Sequence, residues 1–194
     1  MQKLPVGRSV FKEIRTEGYC YVDKSSFVRQ LSDDHSKYWF LSRPRRFGKT
    51  LFLDTIRAAF AGEKELFKGL FLENNWDWKI KYPVVNISFG RGTVESKKEL
   101  NKFIIEILDV QAEEYDIVLN KETVSGRFEE LIRELNKKFK LGVVVLIDEY
   151  DKPLLDNLTK DAAPNILSDI REGLSSFYSV LKDADRYLKF VFLT

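Results

Sequence analysis

The sequence predicts an α/β fold, with a mostly parallel sheet covered by helices on both faces. Three observations lead there. Short apolar runs alternate along the chain with longer segments of helical periodicity, the pattern of successive strand–helix units. The strongest run, Val143-Val144-Val145-Leu146-Ile147, is wholly apolar and mostly β-branched, as suits a strand buried on both faces. The apolar runs also end in polar and charged residues, and ligands of parallel sheets bind at the carboxyl ends of the strands.

Taken in order, residues 1–36 read as an N-terminal extension packed on the core, and residues 37–194 as the domain itself. Within the extension, Tyr19 to Val22 around Cys20 is expected to form a short strand. Tyr38 to Leu41 is the first buried strand, and Lys49 to about Ala61 a helix. Val84 to Phe89 follows as a strand with Pro83 at its entrance. One amphipathic helix carries Leu100, Phe103, Ile104, Ile107 and Leu108 on a single face, and the next carries Phe128, Leu131, Ile132, Leu135 and Phe139. After Val143–Ile147 comes a helix with Leu167, Ile170, Leu174, Phe177 and Leu181, with Pro164 near its start. The last strand is Phe190 to Leu193, directly before Thr194. Natural domains rarely stop on a core strand, so the sequence is expected to be cut short at its C-terminus.

Composition narrows the function classes. Of 194 residues, 44% are apolar, enough for a real core, and the 32% that are charged argue against a membrane protein. No run approaches a membrane helix or a signal peptide, and a cytoplasmic location is expected. A net charge of +2 makes no electrostatic case for nucleic acid. With one cysteine, Cys20, and one histidine, His35 in a polar loop, neither an internal disulfide nor a zinc site is expected.

The first strand runs into Ser42-Arg43-Pro44-Arg45-Arg46-Phe47-Gly48-Lys49-Thr50. Gly-Lys-Thr between an apolar strand and an amphipathic helix is the setting of a phosphate-binding loop (P-loop). Gly48 lets the backbone approach phosphate, the helix N-terminus offers N–H groups and a favourable dipole, Lys49 reaches the β- and γ-phosphates, and Thr50 offers a hydroxyl to magnesium. Arg43 stands where the usual pattern begins with glycine, and Pro44 and Phe47 make the loop stiff and bulky. Arg43, Arg45 and Arg46 either contact phosphate, pair with nearby acids or are solvated. A bare Gly-Lys-Thr is a weak signal, and the acidic strand end strengthens it.

Val143 to Ile147 closes on Asp148-Glu149-Tyr150-Asp151. An apolar strand ending in Asp-Glu matches the second nucleotide-site motif of P-loop ATPases: Asp148 holds magnesium, directly or through water, and Glu149 acts on the attacking water. Acids after a strand also arise from ordinary turn chemistry, and it is the pairing with Gly48-Lys49-Thr50 that favours the functional reading. Asp151 is expected to cap the turn at Lys152-Pro153, where the chain should break. Thr194 ends the final strand, where a polar side chain can sense the γ-phosphate or position water.

These residues resemble the AAA-ATPase-like family of bacteria and archaea. The likeness lies in Arg43-Pro44-Arg45-Arg46-Phe47-Gly48-Lys49-Thr50 and in Leu146 through Leu154, with two further segments agreeing: Tyr21-Val22-Asp23-Lys24-Ser25, preceded by Leu4-Pro5-Val6-Gly7, and Tyr82-Pro83-Val84-Val85. It implies a three-layer P-loop NTPase fold of the additional-strand type, with ATP and Mg2+ as cofactors. It also implies a continuation in typical members: a fifth strand, a lid, and a nuclease-like domain of the PD-(D/E)XK type. Without that strand, the Tyr38–Leu41 strand is expected to be an exposed edge unless Tyr19–Val22 covers it. The likeness further places the N-terminal segment near the base, with Phe11, Tyr19 or Tyr21 as candidates to stack on adenine.

Three functions compete at this point. The first is an ATPase, or the nucleotide-binding part of one. The second is a non-hydrolysing nucleotide-dependent switch that acts through a protein partner or self-association. The third is a nucleic-acid-acting protein, for which Lys97-Lys98 and Lys137-Lys138 give thin support amid interleaved acids.

Overall fold

The computed structural model describes residues 3–158 and 164–194. Helices α1 (Phe11–Thr16) and α2 (Ser25–Asp33) come first, then strand β1 (Tyr38–Phe40) and helix α3 (Lys49–Phe60). Two single-turn 3-10 helices, Lys64–Phe67 and Phe71–Glu73, lead to β2 (Val84–Ser88). Helices α4 (Lys97–Glu114) and α5 (Val124–Phe139) precede β3 (Val143–Asp148), and α6 (Lys152–Leu158) and α7 (Pro164–Asp183) precede β4 (Leu188–Leu193). Among the described residues no helix is long and apolar enough to cross a membrane.

The four strands form one parallel sheet in the order β1-β4-β3-β2. Strand β4 therefore lies between the strand that leads into Gly48 and the strand that ends at Asp148. Side chains of β3 alternate between two cores, as the period of two requires. Val143, Val145 and Ile147 pack with Ile104, Phe128 and Phe177 under α4, α5 and α7. Val144 and Leu146 pack with Ile56, Phe60 and Phe190 under α3. All five apolar residues of β3 are fully buried, which explains their unbroken run. Phe60 of α3 meets Trp76, Tyr82 and Phe190 with ring centroids 5.2, 5.6 and 5.0 Å away. Removing such a ring costs about 3–5 kcal/mol.

Local chemistry sets the helix starts. The Ser96 hydroxyl accepts the Glu99 N–H at 3.2 Å while the Glu99 carboxylate accepts the Glu95 N–H at 2.8 Å, a capping arrangement at the head of α4. Thr123 does the same for α5 by accepting the Gly126 N–H at 3.1 Å. Asp23 joins two elements: its carboxylate accepts the Ser25 N–H at 2.8 Å and the Phe71 N–H at 2.7 Å. Partial burial alone would push that carboxyl up, but these hydrogen bonds override it and hold its pKa below the ordinary value.

Three sequence expectations need correction. Tyr19–Val22 is not a strand; it lies outside the sheet, and the Cys20 N–H reaches the Lys3 carbonyl at 2.8 Å, an isolated bond and not a ladder. Among the described residues no strand pairs with the outer edge of β1: Val191 N–H donates to Lys37 and Leu41 N–H to Leu193, so the intervening Tyr38 and Phe40 main-chain groups face away from β4. Lys152-Pro153 does not break the chain but opens α6, because proline suits a first helical turn where no N–H partner is needed. The final strand begins at Leu188, two residues earlier than expected. The root of β1 is anchored through Asp185, which accepts from Lys37 Nζ at 3.0 Å and from Tyr38 at 2.8 Å. Burial, with Asp185 adding, pushes the Tyr38 phenol up to about 12.

Candidate functional site

Past β1 the chain crosses Ser42–Gly48, every residue of it exposed, and enters α3 at Lys49. Gly48 heads the helix at φ +76°, a conformation glycine adopts without strain. Arg46 takes φ +68° without that freedom, a local strain of about 1–2 kcal/mol. Among the described residues no side chain caps this helix, which leaves its first-turn N–H groups able to meet an anion. Lys49 Nζ donates to the Arg43 carbonyl at 2.7 Å and thereby spans the loop.

The acidic strand end is built differently. Asp148 is only 4% exposed, and the hydroxyl of Thr194, equally buried, donates to its Oδ1. Thr194 N–H also donates to the Ile147 carbonyl at 2.9 Å, and the Thr194 carbonyl accepts the Tyr150 N–H at 3.1 Å. Between them Glu149 sits at φ +53°, a left-handed conformation rare outside glycine. The partly buried Tyr178 hydroxyl donates to the Tyr150 carbonyl at 2.8 Å, and desolvation, with Asp151 adding, pushes this phenol far above its ordinary range. The Glu149 carboxylate lies beside Gly90, where an added Cβ would stand 3.4 Å from Oε2, an ordinary contact. Lys152 Nζ bonds Asp156 at 2.5 Å and the Gly92 carbonyl at 3.1 Å, tying the loop after β2 to α6.

These two strand ends open on a common cleft of about 890 Å³, a size suited to a small-molecule ligand. Gly48, Lys49, Thr50, Asp148 and Glu149 line it, and Arg45 and Arg46 extend the basic wall. The opposite wall is Pro5-Val6-Gly7-Arg8-Ser9, with Val6 87% exposed. Arg43 and Phe47 are not in this cleft. They line a neighbouring apolar groove of about 370 Å³ with Phe27, Trp39, Phe40 and Phe192, and Gly48 borders both. Thr194 does not line the cleft either; it touches it only through its hydrogen bond to Asp148.

The chain belongs to the predicted AAA-ATPase family. That family's model matches residues 5–194. A similar protein from Azotobacter chroococcum mcd 1, described as an uncharacterized protein in the vnfD 5′ region, is 45% identical over all 194 residues of this chain. The chain spans 37% of that relative's length. No solved structure matches. Membership of a predicted AAA-ATPase family supports nucleotide binding at a coarse level.

Of the site residues expected from the sequence, seven line the one cleft: Arg45, Arg46, Gly48, Lys49, Thr50, Asp148 and Glu149; Arg43, Phe47 and Thr194 do not. The family likeness placed the N-terminal segment near the base, but through Phe11, Tyr19 or Tyr21 and not through the Pro5–Ser9 residues that line the cleft. None of the three aromatic candidates for base stacking lines the cleft. Phe11 is fully buried against Phe67 and Tyr21. The Tyr21 hydroxyl is spent on Thr55 at 3.2 Å, and Tyr19 is covered by the Arg8 guanidinium 4.8 Å from its ring centroid.

Proposed function

We propose that this chain binds ATP with magnesium between the Gly48–Thr50 helix start and the Asp148–Glu149 turn, as the nucleotide site of an ATPase. The observation that carries the reading is the convergence of an uncapped helix N-terminus, bearing Lys49 and Thr50, with a buried, oriented carboxylate on one cleft. The helix N–H groups and Lys49 bind the phosphates, with Arg45 and Arg46 alongside as further cationic donors. The Thr50 hydroxyl and the Asp148 carboxylate are hard oxygen donors, the chemistry that suits Mg2+. When bound, magnesium neutralises phosphate charge and orients the phosphate oxygens. Thr194 fixes the rotamer of Asp148 by occupying Oδ1. Glu149 orients the attacking water and accepts its proton. Pro5, Val6 and Leu51 are apolar side chains in the cleft lining and are the surface we assign to the base. The position of β4 between β1 and β3 supports the additional-strand class of this fold.

Glu149→Gln tests the catalytic half. Turnover should fall at least about hundredfold while Mg-ATP affinity stays within about twofold, since a removed base acts on the chemical step. Loss of binding with turnover per bound site unchanged would contradict the role given to Glu149.

A second reading, a non-hydrolysing switch, is favoured by one feature: Gly48 is a wall of both the cleft and the apolar groove, so a loop rearrangement at the phosphates reaches the exposed Phe47 on the surface. Steady turnover by the purified chain would count against it.

A further inference from the structure

The wall Pro5–Ser9 comes from a segment far from the phosphate loop in sequence, so something must hold it in register with that loop. Arg8 bonds Glu13 and Glu17, each at 3.3 Å, but these pairs are exposed and weakly stabilising. The Lys3 carbonyl accepts the Cys20 N–H, which ties the segment to itself. The bond that ends on α3 is different. Asp54 Oδ2 accepts the Phe11 N–H at 2.7 Å, two residues beyond Ser9.

Phe11 is the first residue of α1, and Val10 before it offers no side-chain cap, so this N–H would otherwise be an orphan at a helix start. Asp54 supplies the cap from another helix, with its charge at the favourable end of the α1 dipole. The carboxylate is itself aimed by Arg57 Nε on Oδ1 at 2.5 Å, and the same guanidinium bonds Glu63 at 2.6 Å. Asp54 lies one helical turn beyond Thr50, about 6 Å along α3. One carboxylate thus links the helix that begins at the phosphates to the segment that faces the rest of the ligand.

We propose that Asp54 is a positioning residue for the nucleoside half of the ligand, holding the Pro5–Ser9 wall against the phosphate-loop helix. The inference rests on the nucleotide reading above. It separates two parts of the binding energy: phosphate recognition belongs to α3 and the loop, and base and ribose recognition to a wall that Asp54 fastens.

The experiment is calorimetric titration of the full chain with Mg-ATP and, separately, with magnesium tripolyphosphate. Wild type should prefer ATP. Asp54→Ala should lose about tenfold of that preference, with tripolyphosphate affinity within about twofold, because the charge-assisted bond that is removed holds the Phe11 N–H and no phosphate-binding group. Asp54→Asn, which keeps an oxygen for the Phe11 N–H, should retain most of it. Equal weakening of both ligands by Asp54→Ala, or an unchanged ratio, would overturn the proposal. A wild type that binds neither ligand would instead overturn the nucleotide reading itself. Should Asp54→Ala fail to fold, hydrogen exchange on wild type decides: ATP, and not tripolyphosphate, should slow the amides from Val6 to Phe11. Equal effects of the two ligands there would overturn the proposal.

Discussion

The two strand ends that face each other across the cleft are built in opposite ways. The acidic side is prearranged: Asp148 is buried, one of its oxygens is already taken by Thr194, and the following turn is pinned by the Thr194 carbonyl and the Tyr178 hydroxyl. The basic side is an exposed loop whose Lys49 is turned inward onto the Arg43 carbonyl. On the nucleotide-site reading proposed above, the difference follows from what each side would do. A metal-holding carboxylate works only from a fixed position, and fixing it in advance removes an entropic cost from binding. A phosphate-binding loop must admit its ligand and then close on it, so its N–H groups have to stay free of partners until then.

That comparison breaks most visibly at Thr194. Thr194→Val removes the one side-chain donor to Asp148 among the described residues and leaves a buried carboxylate oxygen short of that partner, a destabilisation of about 1–3 kcal/mol. Chemical denaturation should show this loss, and the magnesium dependence of ATP binding should move to higher concentration. Stability and magnesium dependence both unchanged would mean that the acidic side is not prearranged by Thr194.

Tyr178→Phe is a smaller cut on the same side. It leaves the Tyr150 carbonyl unpaired and loosens the turn that holds Glu149 at positive φ, a loss of about 1 kcal/mol. Turnover should fall several-fold while ATP affinity holds, because Glu149 is not a phosphate ligand. A fall in affinity with turnover per bound site intact would assign Tyr178 to binding instead.

The smallest effect concerns the root of the basic side. Hydrogen bonds from Lys37 and Tyr38 depress the Asp185 carboxyl below its ordinary pKa. A depressed folded-state value means that the stabilisation is present above the unfolded value, about 3.9, and is lost as pH falls below it. The pair is half exposed, so Asp185→Asn should cost under about 1 kcal/mol at neutral pH. The wild-type advantage over this variant should shrink as pH falls below about 4. A deficit that stayed constant as pH fell through and well below that value would show that shape and not charge anchors β1.

Legibility in the sequence followed the range of the interactions. Val143–Ile147 was readable because burial on both faces forces an unbroken apolar run, and its end at Asp148-Glu149 then marked one side of the cleft. Gly48-Lys49-Thr50 was readable because phosphate binding demands local backbone geometry. Helices α1, α2 and α6, of 6, 9 and 7 residues, were not seen, since so few turns leave too little periodicity to count. Tyr178 was hidden because it lies beside the apolar Phe177 on a core helix, with nothing local to reveal its reach to Tyr150. The Pro5–Ser9 wall depends on a bond between Phe11 and Asp54, 43 positions apart, and no spacing rule reports such a pairing.

The central claim is that one cleft binds ATP through a loop that closes on phosphate and a carboxylate already in place. Calorimetric titration of the purified chain with Mg-ATP, beside Lys49→Ala, tests it most directly. The account predicts single-site binding by the wild type and a loss of at least about hundredfold, or 2.7 kcal/mol, in the variant. A well-folded wild type that does not bind, or a Lys49→Ala variant that binds as tightly, would contradict it.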